Sequence, residues 1–146
     1  MLLKSGRHPG KTTEYVILVC ANDASYIIDQ HPDGVIGKEY RRLRKIFDAK
    51  PFVSDCYRCG ETATRVSAYR GSPRLMLWCN ECDPYSQGAS AGKLDIFTSF
   101  DSAIAHVDYT CNGVRAFKNM IVKDLAEAKG CPKRVTRKAA LEFFNG

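Results

Sequence analysis

Between Tyr15 and Ala21 the chain is apolar without a break, YVILVCA, with β-branched residues at three of those positions. Such a run predicts a buried strand, and its length also fits a short buried helix, so periodicity leaves both open. From Asn22 the pattern changes. Asn22 or Asp23 can cap a short helix carrying Tyr26, Ile27 and Ile28, which His31-Pro32-Asp33-Gly34 ends. Beyond Gly37, Tyr40, Leu43 and Phe47 fall on one helical stripe, and Arg41, Arg42, Arg44 and Lys45 take the remaining surface. Pro51 stops that helix.

Ala63 to Arg70 alternates small or apolar with polar residues as a strand does. Gly71-Ser72-Pro73 marks a turn, and Arg74 to Trp78 returns as an apolar strand. The small-residue run Asp83–Gly92 reads as a loop, after which Leu94, Ile96, Phe97 and Phe100 restore apolar character. Asp101 can cap a helix running through Val107, and Asn112-Gly113 marks a turn. Val114 to Lys129 carries the strongest helical pattern, with Val114, Phe117, Ile121, Leu125 and Ala128 at spacings of three and four. Gly130 sits where a C-terminal cap belongs. Thr136 can cap a last short helix bearing Ala140, Leu141, Phe143 and Phe144. Near the start, Gly6 and Gly10 around Pro9 predict a tight hairpin.

The elements on either side of residue 60 acquire a purpose from the cysteines. Cys56-Tyr-Arg-Cys59 and Cys79-Asn-Glu-Cys82 are two C-x2-C pairs with 19 residues between them. Each turn holds two thiolates close together, and a hairpin brings the turns into a closed tetrahedral site for one structural Zn2+ ion. Gly60 follows the first pair, where a knuckle uses a residue tolerant of positive φ. Disulfides fit less well, because seven cysteines cannot all pair internally and Met1–Lys4 has no secretory pattern. These features predict a reducing, cytoplasmic setting. No apolar run approaches bilayer length, so no membrane partner is expected.

The chain carries a net charge of +6 over 146 residues, and its distribution is uneven. Residues 38–50 hold six basic and two acidic side chains, a balance of +4, while residues 1–37 balance at −1. Lys133-Arg134 and Arg137-Lys138 form a second basic cluster. A phosphate-rich partner is the expectation. Within the hairpin, Arg58, Arg65, Arg70 and Arg74 alternate with Tyr57, Tyr69 and Trp78, residue types that grip phosphate and stack on bases. Trp78 fits better as core. Gly10-Lys11-Thr12 ends as a P-loop does, but Gly6 and Gly10 are one residue too close for that motif. Cys111 near His106 and Asp108 lacks the third partner a metal or nucleophile site needs. No catalytic residues are assigned.

The residues Gly6, His8, Gly10, Lys11 and Thr12, followed by Asp23, Tyr26 and Ile27, resemble a small accessory module found at the C-terminus of exodeoxyribonuclease-X-like proteins and in short phage and bacterial proteins. The resemblance covers about the first third of the chain. It departs where the family usually has a tryptophan after the tyrosine, and here Ile27, Ile28 and Asp29 stand instead. It implies association with DNA-processing proteins and brings no nuclease residues.

The expected fold is α+β, with a four-cysteine zinc ribbon over 51–83 inserted between a small N-terminal αβ unit, 1–50, and a helical part, 84–146. The expected function is non-enzymatic binding of the DNA or RNA backbone, in a phage, plasmid or bacterial defence context. The contacts are assigned to Lys11, Arg41, Arg42, Arg44, Lys45, Arg58, Arg65, Arg70, Arg74, Lys133 and Arg134, and the metal to Cys56, Cys59, Cys79 and Cys82. The alternative is an interaction subunit or inhibitor in a larger nucleoprotein complex such as a CRISPR effector.

Overall fold

A computed structural model describes residues 1–83 and 94–146. The predicted loop Asp83–Gly92 lies, beyond its first residue, outside the described residues. The chain opens with a hairpin in which Leu3 N–H donates to Lys11 O and Gly10 N–H to Leu3 O, both at 2.8 Å. Gly6 and Gly10 turn it at φ +83° and +81°, as their spacing predicts.

The apolar run that follows is a helix, α1 (Thr13–Val19), and the strand expectation is wrong. The hydroxyl of Thr12 accepts from Tyr15 N–H and caps it. The helix packs against four others, so Val16, Ile17 and Leu18 are all fully buried. A helix covered on several sides has no polar face, which removes the period by which sequence would reveal it. Next, α2 (Ala21–Gln30) starts from Cys20 and not from Asn22 or Asp23, leaving Asp23 in its first turn.

The amphipathic helix α3 (Val35–Ala49) buries Tyr40, Leu43 and Phe47, the predicted stripe. It begins tight against the end of α2. A Cβ placed on Gly37 would lie 2.0 Å from the His31 carbonyl oxygen, so only glycine fits there. At its other end the buried Lys129 donates from Nζ to Phe47 O at 2.8 Å, and that nitrogen lies 4.9 Å from the Phe47 ring centre. Burial pushes the Lys129 ammonium below its ordinary pKa.

Strands β1 (Arg65–Tyr69) and β2 (Met76–Trp78) form the expected antiparallel hairpin, with Val66 opposite Leu77. A third strand, β3 (Leu94–Phe97), adds to the other edge of β1, giving the order β2-β1-β3. The part after the hairpin is therefore not purely helical. Nor does the first part contain a named strand, only the isolated Leu2–Thr12 bridge beside three helices. The α+β class stands, with the described strands collected in one sheet.

Helix α4 (Phe100–Thr110) is capped by Ser99 and Ser102 acting reciprocally, and not by Asp101. Helix α5 (Arg115–Ala128) ends in a Schellman turn: Cys131 N–H donates to Ala126 O and Gly130 N–H to Glu127 O, with Gly130 at φ +103°. Helix α6 (Arg137–Asn145) starts from Thr136, whose hydroxyl accepts from Ala139 N–H. One apolar cluster joins these elements. The rings of Phe47, Phe100 and Phe143 meet within it at centre distances of 6.0 and 6.1 Å.

Candidate metal centre and basic surface

The two cysteine turns close on each other because β1 and β2 are paired. Tyr57 N–H donates to Leu77 O and Thr64 N–H to Trp78 O, both at 2.9 Å, which seats the first turn beside the second. All four sulfurs lie within 4.8 Å of one another, and the Cys59 and Cys79 sulfurs are 3.6 Å apart. No disulfide joins them. The edge of a tetrahedron with metal–sulfur bonds of about 2.3 Å is roughly 3.8 Å, so the four thiolates fit one metal ion.

The two turns are equivalent in their hydrogen bonding. Burial opposes ionisation of Cys56, but N–H groups of Cys59 and Arg58, with that of Cys79, bring its thiol down to about 6. At Cys79 the N–H of Cys82 leads, burial again opposes, and the N–H of Glu81 adds to a net lowering. The first cysteine of each pair thus receives the amides two and three residues on. Gly60, at φ +78°, closes the first turn with its N–H on Cys56 O at 3.1 Å. Cys82 is pushed the other way, to about 12, chiefly by its contact with the Cys79 thiol. Several thiolates this close repel unless a cation lies among them.

The predicted contact residues do not form one surface. Arg41, Arg42, Arg44 and Lys45 gather with Lys38 around a shallow concavity of about 580 Å³, beside Asp48 and Asp101. Arg44 pairs with Asp101 at 3.0 Å, Arg41 with Asp33 at 3.7 Å and Arg42 with Glu39. In the hairpin, Arg65 binds the buried Asp83 at 3.2 Å, tying β1 to the second cysteine turn, and Arg70, just after β1, binds Asp95 on β3 at 3.0 Å. Arg74 lines a groove that also contains Asp55, Asp124 and Glu127. Arg58 is exposed at the tip of the first turn. Lys11 lies over the Tyr15 ring, Lys133 lies beside Asp124 and Glu127, and Arg134 is exposed ahead of α6.

Tyr57 and Tyr69 are exposed, while Trp78 is half-buried and donates to Ser67 Oγ at 2.7 Å. The buried His106 has Asp95 Oδ2 on Nδ1 and Ser72 O on Nε2, each at 2.7 Å. It therefore ties α4 to β3 and to the β1–β2 turn. Asp108 instead meets Lys118 at 2.6 Å. Among the described residues the four hairpin cysteines are the sole metal-competent cluster.

Sequence reasoning did not assign a second convergence, around Asp23. Its carboxylate accepts from Arg115 at 2.6 Å, meets His8 Nε2 at 2.6 Å and accepts from Arg7 at 3.2 Å. Burial works to raise this carboxyl, but the hydrogen bonds from Arg115 and His8 outweigh it and hold it below the ordinary range. Arg115 is 92 positions from Asp23, so no local signal links them.

Compared with family models, with curated proteins and with solved structures, the chain matches none. Among the described residues no helix is long and apolar enough to cross a membrane.

Proposed function

We propose that the protein binds nucleic acid through the sugar–phosphate backbone, with one zinc ion holding its hairpin as a ribbon. The observation that carries this reading is the concavity on α3, where Lys38, Arg41, Arg42, Arg44 and Lys45 outnumber Asp48 and Asp101. Five cations stand against Asp48 and Asp101 there, and Asp33 and Glu39, which pair with Arg41 and Arg42, bring the local balance to +1. Contacts of this kind position a strand without reading its sequence. Zinc suits the cysteines because soft thiolates in a closed tetrahedral set favour it, and it would supply cross-linking and no open coordination position. Arg58 and Lys11 are exposed cations on other parts of the chain, and the resemblance of the N-terminal residues to an exodeoxyribonuclease-X-type accessory module fits work beside DNA-processing proteins.

Salt dependence tests the reading. Replacing Lys38, Arg41 and Lys45 together by glutamine should reduce the slope of log affinity against log salt by about 3 on duplex DNA, or about 2 on a single strand. An affinity flat in salt, or a slope these changes leave alone, sinks it.

A second reading, a subunit in a larger nucleoprotein assembly, is favoured by the groove between hairpin and α5. Asp55, Asp124 and Glu127 there repel phosphate, while the exposed Tyr57 and half-buried Leu75 offer contact to a protein. Stable co-purification of a protein from the native host, lost on Tyr57→Ala while salt-dependent strand binding persists, supports it.

A further inference from the structure

The Asp23 cluster borders a cavity of about 560 Å³ between the N-terminal hairpin, α2 and α3. Its walls are mostly apolar, with Leu3, Ile27 and Ile36 on them and Tyr26 exposed at 60%. A mostly apolar cavity of this size with a few convergent polar groups has the make-up of a ligand site.

Two observations point to what enters. Arg7 and Arg115 share the single carboxylate of Asp23, each through one nitrogen, so the rim keeps a positive excess and free guanidinium N–H groups. Tyr40 is only 3% exposed, and its hydroxyl forms no hydrogen bond among the described residues. Among the described residues no buried side-chain polar atom lacks a partner, so that hydroxyl keeps contact with solvent, and the cavity it lines is where it does so. The site therefore offers an apolar slot, an exposed ring to stack on, one unused phenol inside and two anion-binding forks at the mouth.

We infer that this cavity receives a single nucleotide, with the base against Tyr26 and the apolar wall, a base edge on the Tyr40 hydroxyl, and the phosphate on Arg7 and Arg115. The ligand class rests on the nucleic-acid reading above. The same helix serves both places, because α3 sends Ile36 and Tyr40 to the cavity and Arg41, Arg44 and Lys45 to the basic face. A strand lying on that face can set one unstacked or terminal nucleotide in the slot. An aromatic platform for one base with arginines on its phosphate is a recurrent way of holding single strands.

The test is an amide chemical-shift titration of the metal-loaded full chain with the four nucleoside 5′-monophosphates, the matching nucleosides, inorganic phosphate, and a short peptide ending in leucine with a free carboxylate. Nucleotides should shift Gly6, Asp23 and Ile27 saturably, with nucleosides and phosphate each weaker. Tyr26→Ala should weaken nucleotide binding by about fivefold or more, from loss of stacking. Tyr40→Phe, which keeps the packing, should weaken it by about fivefold through one hydrogen bond. An unchanged amide spectrum away from the cavity shows that each variant is folded. The inference is overturned by any of three results: no saturable shift at millimolar nucleotide, a response matched by phosphate alone, or tighter binding of the peptide. Salt-dependent strand binding measured in parallel separates the two ideas. If it persists while nucleotides fail, only the cavity falls; if it is absent while nucleotides bind, only the α3 reading does.

Discussion

The helical body and the cysteine hairpin reach stability by different physics. Of the bulkiest fully buried side chains, Phe47, Phe100, Ile17, Leu18, Leu43, Ile121 and Leu125 all belong to helices, and Val66 alone comes from the hairpin. The hairpin's strands are five and three residues long, and β1 buries Ser67 and Ala68 beside Val66. So little apolar area cannot by itself order two short strands against their conformational entropy. The helices hold by burial. The hairpin needs a cross-link, and the four sulfurs supply the ligands for one.

The sharpest way to break this contrast is to remove the metal. Structural zinc in small domains contributes roughly 10 kcal/mol or more at neutral pH, coupled to folding. Chelation, or Cys56→Ser with Cys79→Ser, should abolish hydrogen-exchange protection of β1 and β2 amides. The helical circular-dichroism signal should largely persist. Equal loss in both regions would show that the body depends on the hairpin. The opposite perturbation is Phe47→Ala, which empties the centre of the ring cluster and should cost about 3–5 kcal/mol. Denaturant unfolding should then show the body melting first, with the metal-bound hairpin retaining its protection.

Gly37→Ala probes the body more finely. Its new methyl would meet the His31 carbonyl oxygen at 2.0 Å, so the α2–α3 turn must move, at a cost of about 1–3 kcal/mol. A neutral result in thermal unfolding would show that the turn yields freely. The smallest effect lies at the junction of the two regions, where Asp95 on β3 meets His106 on α4 and Arg70, the residue just after β1. Burial works to raise the Asp95 carboxyl, and the hydrogen bonds from His106 and Arg70 bring it net below the usual value. A carboxyl depressed in the folded state adds stability above its unfolded pKa of about 3.9 and loses it as pH falls through the lower folded value. Asp95→Asn should flatten that acid limb by about 1 kcal/mol or less, since Asp95 is partly exposed. A limb unchanged in the variant would place the acid sensitivity elsewhere, with Asp23 as the next carboxylate to test.

Local features were legible in the amino-acid sequence because each is written within a few residues. The paired cysteines and Gly60, the Gly71 turn, the Tyr40–Leu43–Phe47 stripe, the Gly130 Schellman turn and the Thr136 cap all follow from spacing and residue type. Tertiary packing decided the rest. The run at Tyr15–Ala21 satisfies strand and helix alike, and it became a helix where other helices surround it and Thr12 caps it. The strand β3 found its partner in the edge of β1 left open by the hairpin, which no short pattern announces. Ion pairing likewise divided the arginines. Arg65 and Arg70 were drawn to Asp83 and Asp95, and Arg115 was drawn across the molecule to Asp23. Side-chain chemistry within a turn is set by neighbours in sequence. Whether a charge faces solvent, a partner or a carboxylate is set by what folding brings beside it.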